Sequence, residues 1–140
     1  FQEFSQRYAD PTKDLAFVTR EARLQDPKNR QNSVSTDDEQ LQAEWEMIQQ
    51  AVIGAAKEAY EWAIENGIAK EQARAVLPEG LTESRLYMNG TLRSWIHFIE
   101  LRSANGTQKE HQEVAVACAK AIAAIFPMAA DLVTQGATAT

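Results

Sequence analysis

Residues 36–67 read TDDEQLQAEWEMIQQAVIGAAKEAYEWAIENG, and this stretch decides the fold class. It opens on Thr36-Asp-Asp-Glu39, a capping box in which the threonine hydroxyl and the glutamate carboxylate each satisfy an orphan backbone N–H, with acidic residues placed favourably for the helix dipole. Leu41, Trp45, Ile48, Val52, Ala55, Ala59 and Ala63 then recur at three- and four-residue spacing and form one apolar stripe along a long helix. Asn66-Gly67 supplies the stop.

Working outward, Ile68 to Val76 suits a short helix that Pro78 ends, and Thr82 to Met88 reads as a strand leading to Asn89-Gly90. Thr91 to Arg102 is helical by period, with Leu92, Trp95, Ile96 and Ile99 apolar. A second capping box, Thr107-Gln-Lys-Glu110, opens a helix whose Val114, Cys118, Ala121, Ile122 and Ile125 form a stripe that Pro127 terminates. Upstream, Phe1 to Tyr8 alternates apolar and polar residues as a short strand does, and Asp14 to Thr19 is a second candidate strand. Between Arg20 and Ser35 the composition turns polar and predicts a long loop. The tail from Gly136 to Thr140 is small and polar and is expected to fray. The pattern predicts a helix-rich α+β fold with a small sheet and long helices, residues 1–140 forming a single domain.

Composition narrows the function classes. Twenty acidic against fourteen basic side chains give a net charge of −6, so the molecule as a whole repels phosphate polymers, and no nucleic acid polymer is expected as partner. An anionic ligand must then be held by a local cluster of arginines. Cys118 is the single cysteine, which excludes an internal disulfide, and with only His97 and His111 besides, no metal site is expected. No stretch approaches the roughly 20 apolar residues of a membrane span, so a soluble protein of a reducing cytoplasm is expected. The chain begins at Phe1 in an alternating segment, and an upstream part of about 80 residues is expected before it.

No nucleophile motif, phosphate-binding glycine loop or dinucleotide fingerprint is present. What stands out is Arg7, Arg74, Arg93 and Arg102, each set in apolar surroundings. Arginine keeps its charge and offers a planar fork of donors, so it suits a phosphate or a uracil-like imide. Four surface or ion-paired arginines is the structural alternative. Arg93 and His97 are four apart and share a helix face, whereas Arg102, nine residues beyond Arg93, falls on the opposite side at about 100° per residue. Either the helix ends before Arg102, or its two faces serve different sites at a subunit interface, or the cations of a buried helix snorkel.

Phe1-Gln-Glu-Phe-Ser-Gln-Arg-Tyr8, Ala73-Arg-Ala-Val-Leu-Pro78, Thr91-Leu-Arg-Ser-Trp-Ile-His-Phe-Ile-Glu-Leu-Arg102, and Gln108 with Glu110 together resemble, in order and approximate spacing, the flavin-dependent thymidylate synthases. The family's Arg-His-Arg triplet would lie upstream of Phe1, with Ser5 as the serine that follows it. Arg23 to Ser33 and Met88 to Trp95 look most like viral and some bacterial branches, so a viral member would work in host cytoplasm. Thr91 stands where many members have asparagine, and Gly106 where some have histidine.

The resemblance implies reductive methylation of dUMP to dTMP, with FAD as cofactor and NADPH and 5,10-methylenetetrahydrofolate as co-substrates. It implies a dUMP site from Glu3, Phe4, Ser5, Gln6 and Arg7, with Arg74 reaching the phosphate from a neighbouring subunit and Arg102 contacting the uracil ring as the catalytic group. Ser5 would bind and not attack. Glu3, Thr91, Leu92, Arg93 and His97 would contact FAD, and the protein would be a homotetramer with an oligomeric core and shared active sites. A non-catalytic helical oligomerisation or binding module is the alternative reading.

Overall fold

In a computed structural model, residues 2–8, 10–14, 16–30, 32–104 and 106–136 are described. The chain is helix-rich α+β and divides into two compact units, residues 1–22 with 36–88, and residues 23–35 with 89–140.

The first unit is built on helix α2, Glu39–Glu65, preceded in the chain by strand β1 (Gln2–Glu3) and a single turn of helix, α1 (Pro11–Asp14). The helix starts two residues later than the capping-box reading predicts. Asp38 is the N-cap, its carboxylate accepting from the Leu41 N–H at 3.0 Å, while the Thr36 hydroxyl accepts from the Asp38 N–H. A carboxylate at this position serves as cap and as dipole partner together. The stop is as predicted. Gly67 adopts φ of 76°, its N–H donates to the Ile64 carbonyl, and the Ile68 N–H donates to the Ala63 carbonyl. These paired bonds satisfy helix-end carbonyls, and the left-handed position favours glycine.

The fully buried face of α2 shares only Ala63 with the predicted stripe. Gln49, Ala56, Tyr60 and Ala63 are buried, each of the first three one residue beyond Ile48, Ala55 and Ala59. One residue turns a helix by about 100°, so Trp45, Ile48 and Val52 remain 40%, 53% and 45% exposed. Tyr60, Ala63 and Ala73 form the core cluster, with Ile64 and Leu77 packed on it. Ala73 ends helix α3, Lys70–Ala73, and a single 3-10 turn, Arg74–Val76, follows; Leu77 is already extended, as a residue before proline must be.

Gln49 is 2% exposed because it replaces a strand neighbour. Its side-chain carbonyl accepts from the Arg20 N–H at 2.7 Å and its amide donates to the Arg20 carbonyl at 2.8 Å. Gln42, seven residues earlier and so on the same face, makes the same pair of bonds to Ala22 at 2.7 and 2.9 Å. The predicted strand from Asp14 to Thr19 is not formed. Residues 16–18 run extended, with a lone bridge from Phe17 to Thr82 and bonds from Val18 to Leu81 and from Glu83 to Ala16. Strand β4, Leu86–Tyr87, is shorter than predicted and pairs antiparallel with β1, Gln2 opposite Tyr87 and Glu3 opposite Leu86.

In the second unit the predicted loop contains a hairpin. Strand β2, Arg23–Gln25, pairs antiparallel with β3, Ser33–Ser35. Too short for a hydrophobic alternation, it is held by side chains. The Asp26 carboxylate accepts from the N–H of Lys28 and Asn29 at 2.8 and 3.1 Å and from the Asn32 amide at 2.8 Å. Arg23 donates to both the hydroxyl and the carbonyl of Ser33. Helix α4 is Leu92–Arg102, α5 is Lys109–Ala123, and after a 3-10 turn over Pro127–Ala130 the short α6 is Asp131–Gly136; α4 packs on α5 and α6. The second capping box does not form, since Gln108 is the N-cap of α5 and makes no side-chain cap bond. The buried residues are Ile99, Ser103, Ala115, Ala119 and Ala129, while Val114 and Ile125 of the predicted stripe are exposed. Alanines four apart let a neighbouring helix approach closely. The last four residues of the predicted frayed tail lie outside the described residues.

Replacing Gln49 by leucine leaves the Arg20 N–H and carbonyl without their partners in a buried place, so it should cost about 2–3 kcal/mol in chemical denaturation; an unchanged midpoint would remove the amide clamp from the fold. The hydrogen bonds from Lys28, Asn32 and Asn29 hold Asp26 below its ordinary value of 3.8. A lowered carboxylate contributes stability that is complete above the unfolded value and fades as pH falls through the folded one. Exchange protection of the Lys28 and Asn29 amides should therefore be full at pH 6, fall below pH 4, and stay flat in Asp26→Ala.

Candidate functional site

The first unit holds a cavity of 650 Å³ between the start of the chain and the turn after α3. Glu3, Phe4, Ser5 and Gln6 line one side and Arg74 another, so five of the predicted nucleotide-site residues meet there. Three local features bring this about. β1 is pinned by β4, and the Phe4 N–H continues the pairing with a 2.8 Å bond to the Arg85 carbonyl. The chain then turns, the Tyr8 N–H donating to the Ser5 carbonyl. Finally α3 takes hold of the end of this segment, with Lys70 donating to the Tyr8 carbonyl at 3.0 Å and Arg7 pairing with Glu71 at 3.0 Å. Because Arg74 follows α3 directly, the same helix that anchors Arg7 and Tyr8 carries Arg74 to the cavity.

Arg7 does not line the cavity. Its guanidinium engages Glu71, and both side chains are about half exposed (54% and 47%), so the pair is worth under about 1 kcal/mol and is open to competition. Glu79, Thr82 and Ser84 also line the cavity, and sequence reasoning misses them. Ser84 donates to the Glu3 carboxylate at 2.8 Å. No local motif marks these three; the signal lies in the pairing of β1 with β4, which sets Ser84 beside Glu3.

In the second unit, Thr91 is the N-cap of α4. Its hydroxyl accepts from the Ser94 N–H at 3.2 Å and lies 3.0 Å from the Ser94 hydroxyl. Leu92 opens the helix and is 39% exposed. Arg93, His97 and Glu100 follow at helical spacing beside a surface depression of 440 Å³ that Ser94 and Ile96 also line. The helix runs unbroken to Arg102, so the reading in which it ends earlier falls away. Arg102 is exposed in the last turn, where a cation suits the helix dipole, and lies on the face opposite Arg93. Inside the helix pair, Trp95 meets Phe98 edge to face at 5.8 Å, and Phe98 lies 5.5 Å from the His111 ring. Burial pushes the Cys118 thiol up, away from the reactive thiolate. Among the described residues no three His, Cys, Asp or Glu side chains are grouped to hold a metal ion, and no helix is long and apolar enough to cross a membrane.

Arg74 and the polar segment Glu3 to Gln6 line the same open cavity, and a guanidinium there offers the planar fork of donors that a small anionic group accepts from. The backbone is similar to that of a UMP/dUMP methylase, PolB, from Streptomyces cacaoi. Its two solved forms, bound with 5-Br UMP and 5-Br dUMP, each superpose with a TM-score of 0.73, at 25% and 29% identity, covering 96% and 99% of this chain and 62% and 64% of theirs. Residues 1–128 match the family described as thymidylate synthase complementing protein, and the chain belongs to that family. It is 48% identical over 127 residues to a probable flavin-dependent thymidylate synthase of Paramecium bursaria Chlorella virus 1, and 46% identical over 130 residues to a flavin-dependent thymidylate synthase of Synechocystis. These matches cover 91% and 93% of this chain but 57% and 59% of the relatives, so the chain spans less than two thirds of the length of the proteins it resembles.

Proposed function

We propose that this chain is the C-terminal portion of a flavin-dependent thymidylate synthase, converting dUMP to dTMP by reductive methylation. The observation that carries the reading is the convergence of Glu3, Phe4, Ser5, Gln6 and Arg74 on one cavity, in a chain 46% and 48% identical to proteins of that name. In this reading the polar strand segment holds the nucleotide and Arg74, which the same chain brings to that cavity, grips its phosphate. Arg7, released from its weak pair with Glu71, adds a second cation. Ser5 binds through its hydroxyl and is not a nucleophile.

Arg102 is the catalytic group. A guanidinium beside the pyrimidine stabilises the negative charge left when the N3 proton departs, which raises electron density at C5 and removes the need for a covalent enzyme nucleophile. Arginine suits the role because it stays charged while its partner changes protonation. The residues toward the cofactor fit a flavin in chemistry: Arg93 and His97 offer donors along one exposed helix face beside the depression, and Thr91 a hydroxyl at its start. FAD, when bound, supplies hydride chemistry that no side chain of this chain can provide, with NADPH as reductant and 5,10-methylenetetrahydrofolate as carbon donor.

The reading includes a homotetramer, which a separate observation favours. Trp45, Ile48 and Val52 form an apolar strip on α2 that its own unit leaves open, and another copy of the same helix is a suitable cover.

In the full-length protein, Arg74→Ala should weaken dUMP binding by about 1.5–3 kcal/mol, while Arg102→Ala should reduce turnover far more than FAD retention. Titration calorimetry and flavin absorbance read the two effects separately, and dUMP affinity unchanged in Arg74→Ala would refute the phosphate role. Ile48→Glu should shift the protein from tetramer toward smaller species in sedimentation velocity; a tetramer of undiminished stability would place the contact elsewhere.

A further inference from the structure

Of the charged side chains around the cavity at Ser5, the proposed reaction uses Glu3 and Arg74 and leaves Glu79 without a role. The chain on either side sets where this carboxylate sits. The Leu77 N–H donates to the Arg74 carbonyl at 3.1 Å, and Pro78 fixes the next backbone angle. The Pro78 carbonyl then accepts from the N–H groups of Leu81 and Thr82 at 3.1 and 3.0 Å, and from the Thr82 hydroxyl at 2.8 Å. Glu79 therefore lies inside a turn closed by three bonds, and the backbone between it and Arg74 is tied at both ends.

The side chains around the cavity divide into those with a partner in the chain and those without. The Ser84 hydroxyl donates to the Glu3 carboxylate at 2.8 Å, and the Thr82 hydroxyl is committed to Pro78. Arg74 is held by its shaft, Nε donating to the Glu71 carbonyl at 3.3 Å. Its terminal nitrogens and the Glu79 carboxylate make no hydrogen bond or ion pair among the described residues. A guanidinium and a carboxylate within reach of each other would pair; these two line one cavity of 650 Å³ without meeting. A carboxylate only accepts, and it repels a second anion. The space between the two charges thus suits a ligand with an oxyanion at one end and a neutral hydrogen-bond donor at the other.

We propose that Glu79 recognises the sugar of the nucleotide, accepting a hydrogen bond from its 3′-hydroxyl while Arg74 holds the 5′-phosphate. The ligand comes from the thymidylate synthase reading, on which this role rests. Apart from its phosphate, dUMP has two donors, the ring N3–H and the 3′-hydroxyl. An ionised carboxylate beside N3 would oppose the loss of the proton that Arg102 promotes, because like charges disfavour each other. The hydroxyl stays neutral throughout the reaction and is set apart from the phosphate by the sugar ring. Glu79 is then a specificity-determining residue, since a nucleotide lacking that hydroxyl leaves the carboxylate without its partner.

The test compares dUMP with 2′,3′-dideoxyuridine 5′-monophosphate, its 3′-deoxy counterpart, by calorimetry on the full-length protein. The parent should bind dUMP about tenfold or more tighter than the analogue. In Glu79→Ala, dUMP affinity should drop to the level of the analogue, while affinity for the analogue itself should not fall, a sign that the cavity is intact. Glu79→Gln, whose amide oxygen still accepts, should keep part of the preference. If the parent binds neither nucleotide, the thymidylate synthase reading fails and takes this role with it. If dUMP binds, but the preference for the 3′-hydroxyl is absent from the parent or as large in Glu79→Ala as in the parent, that reading stands and the role of Glu79 is overturned.

Discussion

Two glutamine amides do for the first unit what a neighbouring strand does in a sheet. A primary amide donates and accepts along parallel directions, so Gln42 and Gln49 each satisfy both backbone groups of one residue, Ala22 and Arg20. Buried backbone polar groups must be paired, and residues 20–22 lie beside a helix that has no main-chain donors to offer. The glutamines supply them, seven residues apart on one face of α2. With that run of chain fixed, residues 16–18 can meet residues 81–83, and the segment that continues into Ser84 and β4 is held in place to pair with β1. The cavity at Ser5 is thus a consequence of polar bonds as much as of the small cluster around Tyr60.

This explains which parts of the fold can be read from sequence. The stop at Asn66-Gly67 is legible because only one residue type adopts a positive φ without strain, and the turn before Pro78 because proline restricts its predecessor. The clamp is illegible. A glutamine in a polar stretch reads as solvated, and nothing local says that the chain twenty to thirty residues earlier will come to it. The hairpin from Arg23 to Ser35 is illegible for a related reason: its three-residue strands are too short to establish an alternation, and Asp26 and Arg23 bond across the turn. Of the site, arginines in apolar context mark Arg74 and Arg102 as unusual, but their roles enter through resemblance. Thr82 and Ser84 join the cavity through the bridge to Phe17 and the pairing of β1 with β4, which carry no sequence signal of their own.

The misplaced stripe on α2 has a physical lesson too. Periodicity correctly identifies a face that prefers to leave water, but it does not say what will cover it. Here the unit covers the neighbouring face, with Gln49 at its centre, and leaves Trp45, Ile48 and Val52 outside. Helix α5 repeats part of the pattern, burying Ala115 and Ala119 while Val114 stays exposed. On α2 the inward residues besides Gln49 and Tyr60 are alanines, while Trp45, Ile48 and Val52 point outward, so the apolar periodicity marks a face that the unit itself leaves open.

Electrostatics ties the sites together. At physiological ionic strength a charge is screened within about 8 Å, so the net charge of −6 matters for encounter and hardly at all for a ligand already seated. What governs the seated ligand is the local sign. The chain sorts its cations accordingly: Arg74 lines the cavity at Ser5, and Arg93 lies beside His97 on α4. With a net negative charge, affinity for an anion depends on convergent, oriented donors and not on general attraction. A guanidinium in a partly desolvated site interacts with an anionic partner more strongly than it could in water, so local placement outweighs the overall charge.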